Sequence, residues 1–197
     1  MTSGNSAAPM SAKRQRLMDT AWRLFYRDGY RSVGIDTLLA EADLAKMTLY
    51  NHFSSKEELI VAVIRKRSEE ILAGLANAVE NAGRSPERRL LAVFDWLKVL
   101  FGTKDFNGCA FIRALSEFPD PSHPIHRAAW THKQSVRKML VGLASEAGAK
   151  SPAAVADALR LLIDGALVAA HATGSAKPAG VARAAAASVL AQAREKL

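Results

Sequence analysis

Apolar positions recur at steps of three and four along almost the whole chain, and no stretch alternates with a period of two. Leu17, Ala21, Leu24 and Phe25 form one such stripe, with Lys13, Arg14, Arg16 and Arg23 mostly off it. The pattern predicts a first helix from about Ala12 to Asp28, stopped at Gly29. A second is expected from Ile35 to about Ala42, with Gly34 at its N-cap and Asp43 in the turn after it. A third covers Lys46 to Phe53. Ser55, with Glu58 three residues later, reads as a capping box opening a fourth helix that continues to about Asn81. Gly and Pro punctuation then marks further helices from about Pro86 to Leu100, Cys109 to Phe118, Ile125 to Glu146, Pro152 to Thr173, and from Gly174–Pro178 to the C-terminus. The expected fold is all-α with about nine helices. Residues 1–11 read as a flexible tail, 12–55 as a small three-helix domain, and 56–197 as a larger helical bundle.

The small domain carries the sharpest chemical signal. Leu24, Phe25, Tyr30, Ile35, Leu38, Leu39, Ala42, Leu44, Leu49 and Phe53 can close one core. Lys46, Thr48, Tyr50, Asn51 and His52 are then left on the outside of the third helix. Two short helices joined by a tight turn, the second lined with polar and basic side chains, are the parts of a helix-turn-helix DNA reader. Lys46 can donate to guanine or neutralise phosphate, Asn51 can pair with adenine, and Thr48 can meet a base or a thymine methyl. Tyr50 and His52 suit phosphate oxygens. Lys56 adds a cation at a helix N-terminus. The competing reading has Tyr50 and His52 completing the core, with Lys46 and Lys56 merely solvated.

Composition narrows the classes. Hydrophobic residues make up 49% of 197, ample for a core. The longest apolar run, Leu161–Ala172, is broken by Asp164 and falls short of the ~20 residues that span a bilayer. The N-terminus lacks the apolar run of a signal peptide, so a cytoplasmic protein is expected. A single cysteine, Cys109, forms no intramolecular disulfide and fits a reducing compartment. The formal net charge of +8 favours an anionic partner. Its distribution adds little: the first 70 residues hold 11 Lys+Arg against 9 Asp+Glu. The local motif has to carry the case.

Three segments together, LFYRDGYRSVGI, LLAEADLAKMTLYNHF and SSKEELIVAVI, resemble the TetR-type family of bacterial regulators. The specific part is Leu49, Tyr50, His52, Phe53, Lys56, Glu57 and Leu59. The resemblance implies that the third helix reads an operator, that Tyr50, His52 and Lys56 touch the DNA backbone, and that the chain acts as a homodimer. It implies a dimer interface built from the last two helices, here rich in Ala and Gly. The family usually has Gly where this chain has Asp43, Ser or Thr where it has Gly34, and often a small residue where it has Met47.

The larger domain is then expected to bind a ligand and to dimerise, a monomeric bundle being the alternative. Two linked readers gain from effective concentration and imply a palindromic operator with half-sites ~34–36 Å apart. Trp96, Phe101, Phe111, His126, Trp130 and His171 are candidates for the lining of a pocket for a small, partly apolar effector. Ordinary core packing is the plainer reading of each. Cys109, at an expected helix start, can be a redox-sensitive thiol or a buried small hydrophobe. Asp120, His123 and His126 can suggest a metal, but the flanking prolines favour a turn, and neither metal nor other cofactor is expected. No nucleophile elbow or phosphate loop is present, so no enzyme is expected. The functional expectation is a one-component repressor of double-stranded DNA, released by its effector. The alternative is a ligand- or redox-sensing helical protein without operator reading.

Overall fold

The computed structural model describes residues 11–194. The tail expected over residues 1–11 therefore lies outside the described residues except for Ser11, as do the last three residues of the chain. The described residues form nine helices and no strand: α1 (Ala12–Asp28), α2 (Ile35–Ala42), α3 (Lys46–Tyr50), α4 (Lys56–Asn81), α5 (Pro86–Phe101), α6 (Ala110–Glu117), α7 (Pro124–Glu146), α8 (Pro152–Thr173) and α9 (Lys177–Arg194). The chain divides into two compact units, residues 1–64 and 65–197. The division falls inside α4. The expected boundary after residue 55 lies nine residues earlier in the chain.

In the first unit, α1, α2 and α3 pack on one another. Ser11 caps α1 by accepting from the Arg14 amide at 3.3 Å. Gly29 ends it with φ +97°, its N–H donating to the Phe25 carbonyl at 3.0 Å. Leu17, Ala21, Leu24, Phe25, Tyr30, Leu38 and Leu49 are all fully buried, and the Phe25 and Tyr30 rings meet at 5.6 Å. Ile35 and Leu44, expected in this core, are only half-buried, because one opens α2 and the other lies in the turn.

The second unit has its own core, from Leu75 and Val79 of α4 through Leu90, Phe94 and Leu97 of α5 to Leu190 of α9. Within it α7 packs on α6 and α8, and α9 packs on α5 and α8. Ion pairs cross these seams: Arg137 grips Asp157 through two bonds of 2.6 and 2.9 Å, and Arg183 reaches Asp95 at 2.8 Å. Exposed pairs of this kind contribute about 0–1 kcal/mol each, so the apolar core holds the unit. One face of α8 and α9 stays open. Leu161, Val168 and Val181 are more than half exposed there. Beside them a groove of about 630 Å³ runs over Leu162, Gly165, Ala169, Ala182 and Ala185.

Candidate nucleic-acid interface

The turn between α2 and α3 is set by Asp43, with φ +49° and ψ +56°, the only non-glycine of positive φ among the described residues. Aspartate is among the few side chains that accept this left-handed conformation. Arg16 of α1 donates to the Asp43 carbonyl oxygen and lies 3.4 Å from its carboxylate. The Leu44 amide closes the turn onto the Leu39 carbonyl at 3.0 Å.

The third helix is shorter than its periodicity predicts. It ends at Tyr50, not Phe53. Leu49 and Phe53 are both buried, which mimics a continuing helical stripe. Instead the chain tightens, with both the His52 and Phe53 amides donating to the Leu49 carbonyl at 2.9 and 2.8 Å. Buried Leu49 and Phe53 hold this segment from within. Arg14 lies over the Phe53 ring at 4.9 Å.

What faces outward is Lys46, Met47, Tyr50 and Asn51, all exposed. Helical spacing of three and four places Met47 beside Tyr50 and Asn51, and Lys46 beside Tyr50. Thr48 is half-buried. His52 is half-buried too, its Nε2 bonded to the Ser11 hydroxyl at 3.2 Å. Lys56 is held across the unit: its ammonium donates to the Arg31 carbonyl at 3.2 Å. The α4 start differs in detail from the expected capping box. The Glu58 amide does donate to the Ser55 hydroxyl at 3.1 Å. The Glu58 carboxylate, however, accepts from the Ser54 amide and hydroxyl at 2.6 and 2.7 Å. Those Ser54 donors, the hydroxyl first, pull the Glu58 carboxyl below its ordinary range. Charge on Glu58 thus lies at the helix end, where negative charge is favourable.

A profile described as bacterial regulatory proteins, tetR family, matches residues 17–63. Those residues contain the helix-turn-helix. Over the whole fold, the chain is similar to the crystal structure of SCO4454, a TetR-family transcriptional regulator from Streptomyces coelicolor. Identity is 33%, with 93% of this chain and 96% of that chain covered and a TM-score of 0.88. The chain belongs to the TetR family. Among curated relatives, the transcriptional regulator YjdC of Escherichia coli is 24% identical over 79% of this chain and 81% of its own. The transcriptional activator FasR of Mycolicibacterium smegmatis is 31% identical over 46% of this chain and 42% of its own. TetR-family proteins are DNA-binding regulators that act as dimers and are not enzymes.

In this TetR-family chain the six expected effector-pocket residues differ in burial. Phe101 is core and meets Phe106 at 4.9 Å. Trp96 lies against Gly74, where a Cβ would come within 3.0 Å of its indole nitrogen. His126 donates from Nδ1 to the Phe118 carbonyl at 2.7 Å. Trp130 and His171 lie at the surface. Phe111 is buried and stacks on His132 at 3.5 Å. The residues around Asp120 are engaged locally. His123 caps α7 by accepting from the Ile125 amide at 3.2 Å, and Asp120 accepts from Ser122. Among the described residues no three His, Cys, Asp or Glu side chains gather as a metal ion would require.

The same unit holds a buried polar cluster that sequence reasoning did not assemble. His132 and Lys133 are 5% and 6% exposed. His132 bonds through Nδ1 to the Ser68 hydroxyl of α4 at 2.9 Å. The Lys133 ammonium donates to Asp164 of α8 at 2.6 Å and lies 3.7 Å from the half-buried Cys109 thiol. Arg160 also reaches Asp164, at 3.4 Å.

Burial, then the neighbouring charges of Lys133 and Arg67, push the His132 imidazole down to about 3 from an ordinary value of 6.5. The unfolded chain therefore binds this proton in a window where the fold does not. The His132 contribution to stability is fully present above about pH 6.5 and falls away as pH drops toward about 3, by at most about 1.4 kcal/mol per pH unit. Urea unfolding from pH 7 to pH 4 should show that slope as a difference between the native chain and His132→Phe. Parallel pH curves would contradict it.

Proposed function

We propose that this regulator is a repressor that holds a near-palindromic operator as a homodimer and is released by a small, partly apolar effector. The observation that carries the reading is the outer face of α3. Lys46, Tyr50 and Asn51 stand exposed on a helix pinned from behind by Leu49 and Phe53. Lys46 and Asn51 supply hydrogen-bonding groups to base edges, and Tyr50, His52 and Lys56 supply the phosphate contacts that set register. Half-buried Thr48 is left with a groove-edge contact. The open α8–α9 face is where the second copy fits, because small residues let helices approach closely and Leu161, Val168 and Val181 supply area. A cytoplasmic location goes with this function, and no helix among the described residues is long and apolar enough to cross a membrane.

The effector reading places the ligand among Trp96, Phe101, Phe111 and His126, with Trp130 and His171 at the rim and the buried His132 and Lys133 as polar points. Ser68 ties α4 to His132, and α4 runs on into the reading unit. A ligand that displaces the His132 ring acts on α4 through that bond, with a typical coupling of about 1–3 kcal/mol.

Genomic fragments selected with the purified full chain give the operator, and transcription in vitro from the selected promoter should fall when the protein is added. A rise would make it an activator, as FasR is named. On the selected operator, Lys46→Ala and Asn51→Ala should each lower affinity by about 1–3 kcal/mol without changing thermal unfolding. Lys56→Ala should weaken binding to all sequences and flatten its salt dependence by about one unit of slope per subunit. Affinities equal to the native chain for all three variants would remove α3 from the interface.

A further inference from the structure

Met47 is the one outward residue of α3 that the reading above leaves without a task. It is 68% exposed, on a helix of five residues. Most other large apolar side chains described in the first unit are buried or half-buried: Met18 is 4% exposed and Leu49 is inaccessible. Among the described residues of this unit, only Tyr50, at 45%, accompanies Met47 as an exposed large apolar residue. Its neighbours on the same face are Tyr50 and Asn51, which suit phosphate and base edges rather than the apolar groove of a protein partner. A major groove offers one prominent apolar feature to such a side chain, the C5 methyl of thymine. Methionine is unbranched and polarizable, with three rotatable bonds, so it can reach that methyl from a short helix without moving the backbone.

We infer that Met47 is a specificity-determining residue that reads a thymine methyl in each operator half-site. This rests on α3 being the reading helix. The contact requires thymine at one position per half-site and disfavours cytosine there, since cytosine lacks the methyl.

Deoxyuridine is thymidine without that methyl, with the same pairing edges. Each thymine of the selected operator is replaced in turn by deoxyuridine, symmetrically in both half-sites, and the dissociation constant is measured with the full chain. At one position the native protein should lose about fourfold per methyl, or about fifteenfold for the pair. Met47→Ala should bind the thymine and uracil operators equally, and Met47→Leu, which keeps an apolar side chain, should restore much of the preference. Because Met47 is exposed, both variants should unfold at the native temperature. Uracil at every position without effect on the native protein would overturn the inference while leaving operator binding intact. So would a loss that persists undiminished in Met47→Ala. A chain that selects no DNA overturns this inference and the reading of α3 together.

Discussion

Replacing Asp164 with Ala is expected to destabilise the second unit by about 3 kcal/mol, lowering its unfolding temperature by roughly 10 °C. The reason is what remains. The Lys133 side chain is 7% exposed and its ammonium donates to Asp164 at 2.6 Å. The ammonium also lies 3.7 Å from the Cys109 sulfur, a weak acceptor. Without the carboxylate a cation stays out of water with little to offset its lost hydration. The reverse change should be milder. Lys133→Met leaves Asp164 beside Arg160 and with a side chain 24% exposed, so a cost of about 1 kcal/mol is expected. The double variant, Lys133→Met with Asp164→Leu, should return close to native stability, since it removes both charges and keeps volume. Urea unfolding of the three proteins forms the test. Equal costs for the two single changes would mean that the pair is solvated rather than buried.

Phe25→Ala should have an effect of similar size in the other unit, at about 3–5 kcal/mol. Phe25 is fully buried against Tyr30, in a unit whose Leu17 and Leu24 are fully buried as well. The unit is small, and domains of this size bury a modest share of their surface, so a loss of several kcal/mol approaches the whole of its stability. Operator binding should vanish because α3 loses its support. The core around Phe94 and Leu140 does not include Phe25, so dimerisation should persist in sedimentation. Phe25→Leu keeps most of the volume and should retain binding at a cost below about 1.5 kcal/mol. Full operator affinity in Phe25→Ala would show that the reading helix is held by something other than this core.

Helix positions were legible because their signals are local. Gly29 after Asp28, Pro152 before the apolar run of α8 and the 3.6 period of α1 are each readable within a few residues. The end of α3 was not. Leu49 and Phe53 keep helical spacing while the backbone between them tightens, and side-chain periodicity does not distinguish these. The exposed side of α3 was legible in part for the same local reason: once Leu49 and Phe53 are inward, Lys46, Tyr50 and Asn51 must be outward, whereas Thr48 and His52, expected there too, are half-buried. The buried cluster of the second unit joins residues 31 and 64 positions apart, and such pairing leaves only indirect traces. Asp164 breaking an apolar run was one trace. Trp130 falls off the α7 stripe of Ile125, Ala129, His132, Val136 and Leu140, whose members are all buried, and its exposure of 45% follows from that phase on the helix.

The seam between the two compact units lies within an unbroken helix, at Ile64 and Arg65 of α4. A chimera that borrows a reading head from a relative must therefore be spliced in mid-helix. One residue too many or too few at the join would swing the grafted head through about 100° and carry it about 1.5 Å along the axis. Swaps that conserve residue count should give working hybrids, and slipped ones should fold yet miss their promoters.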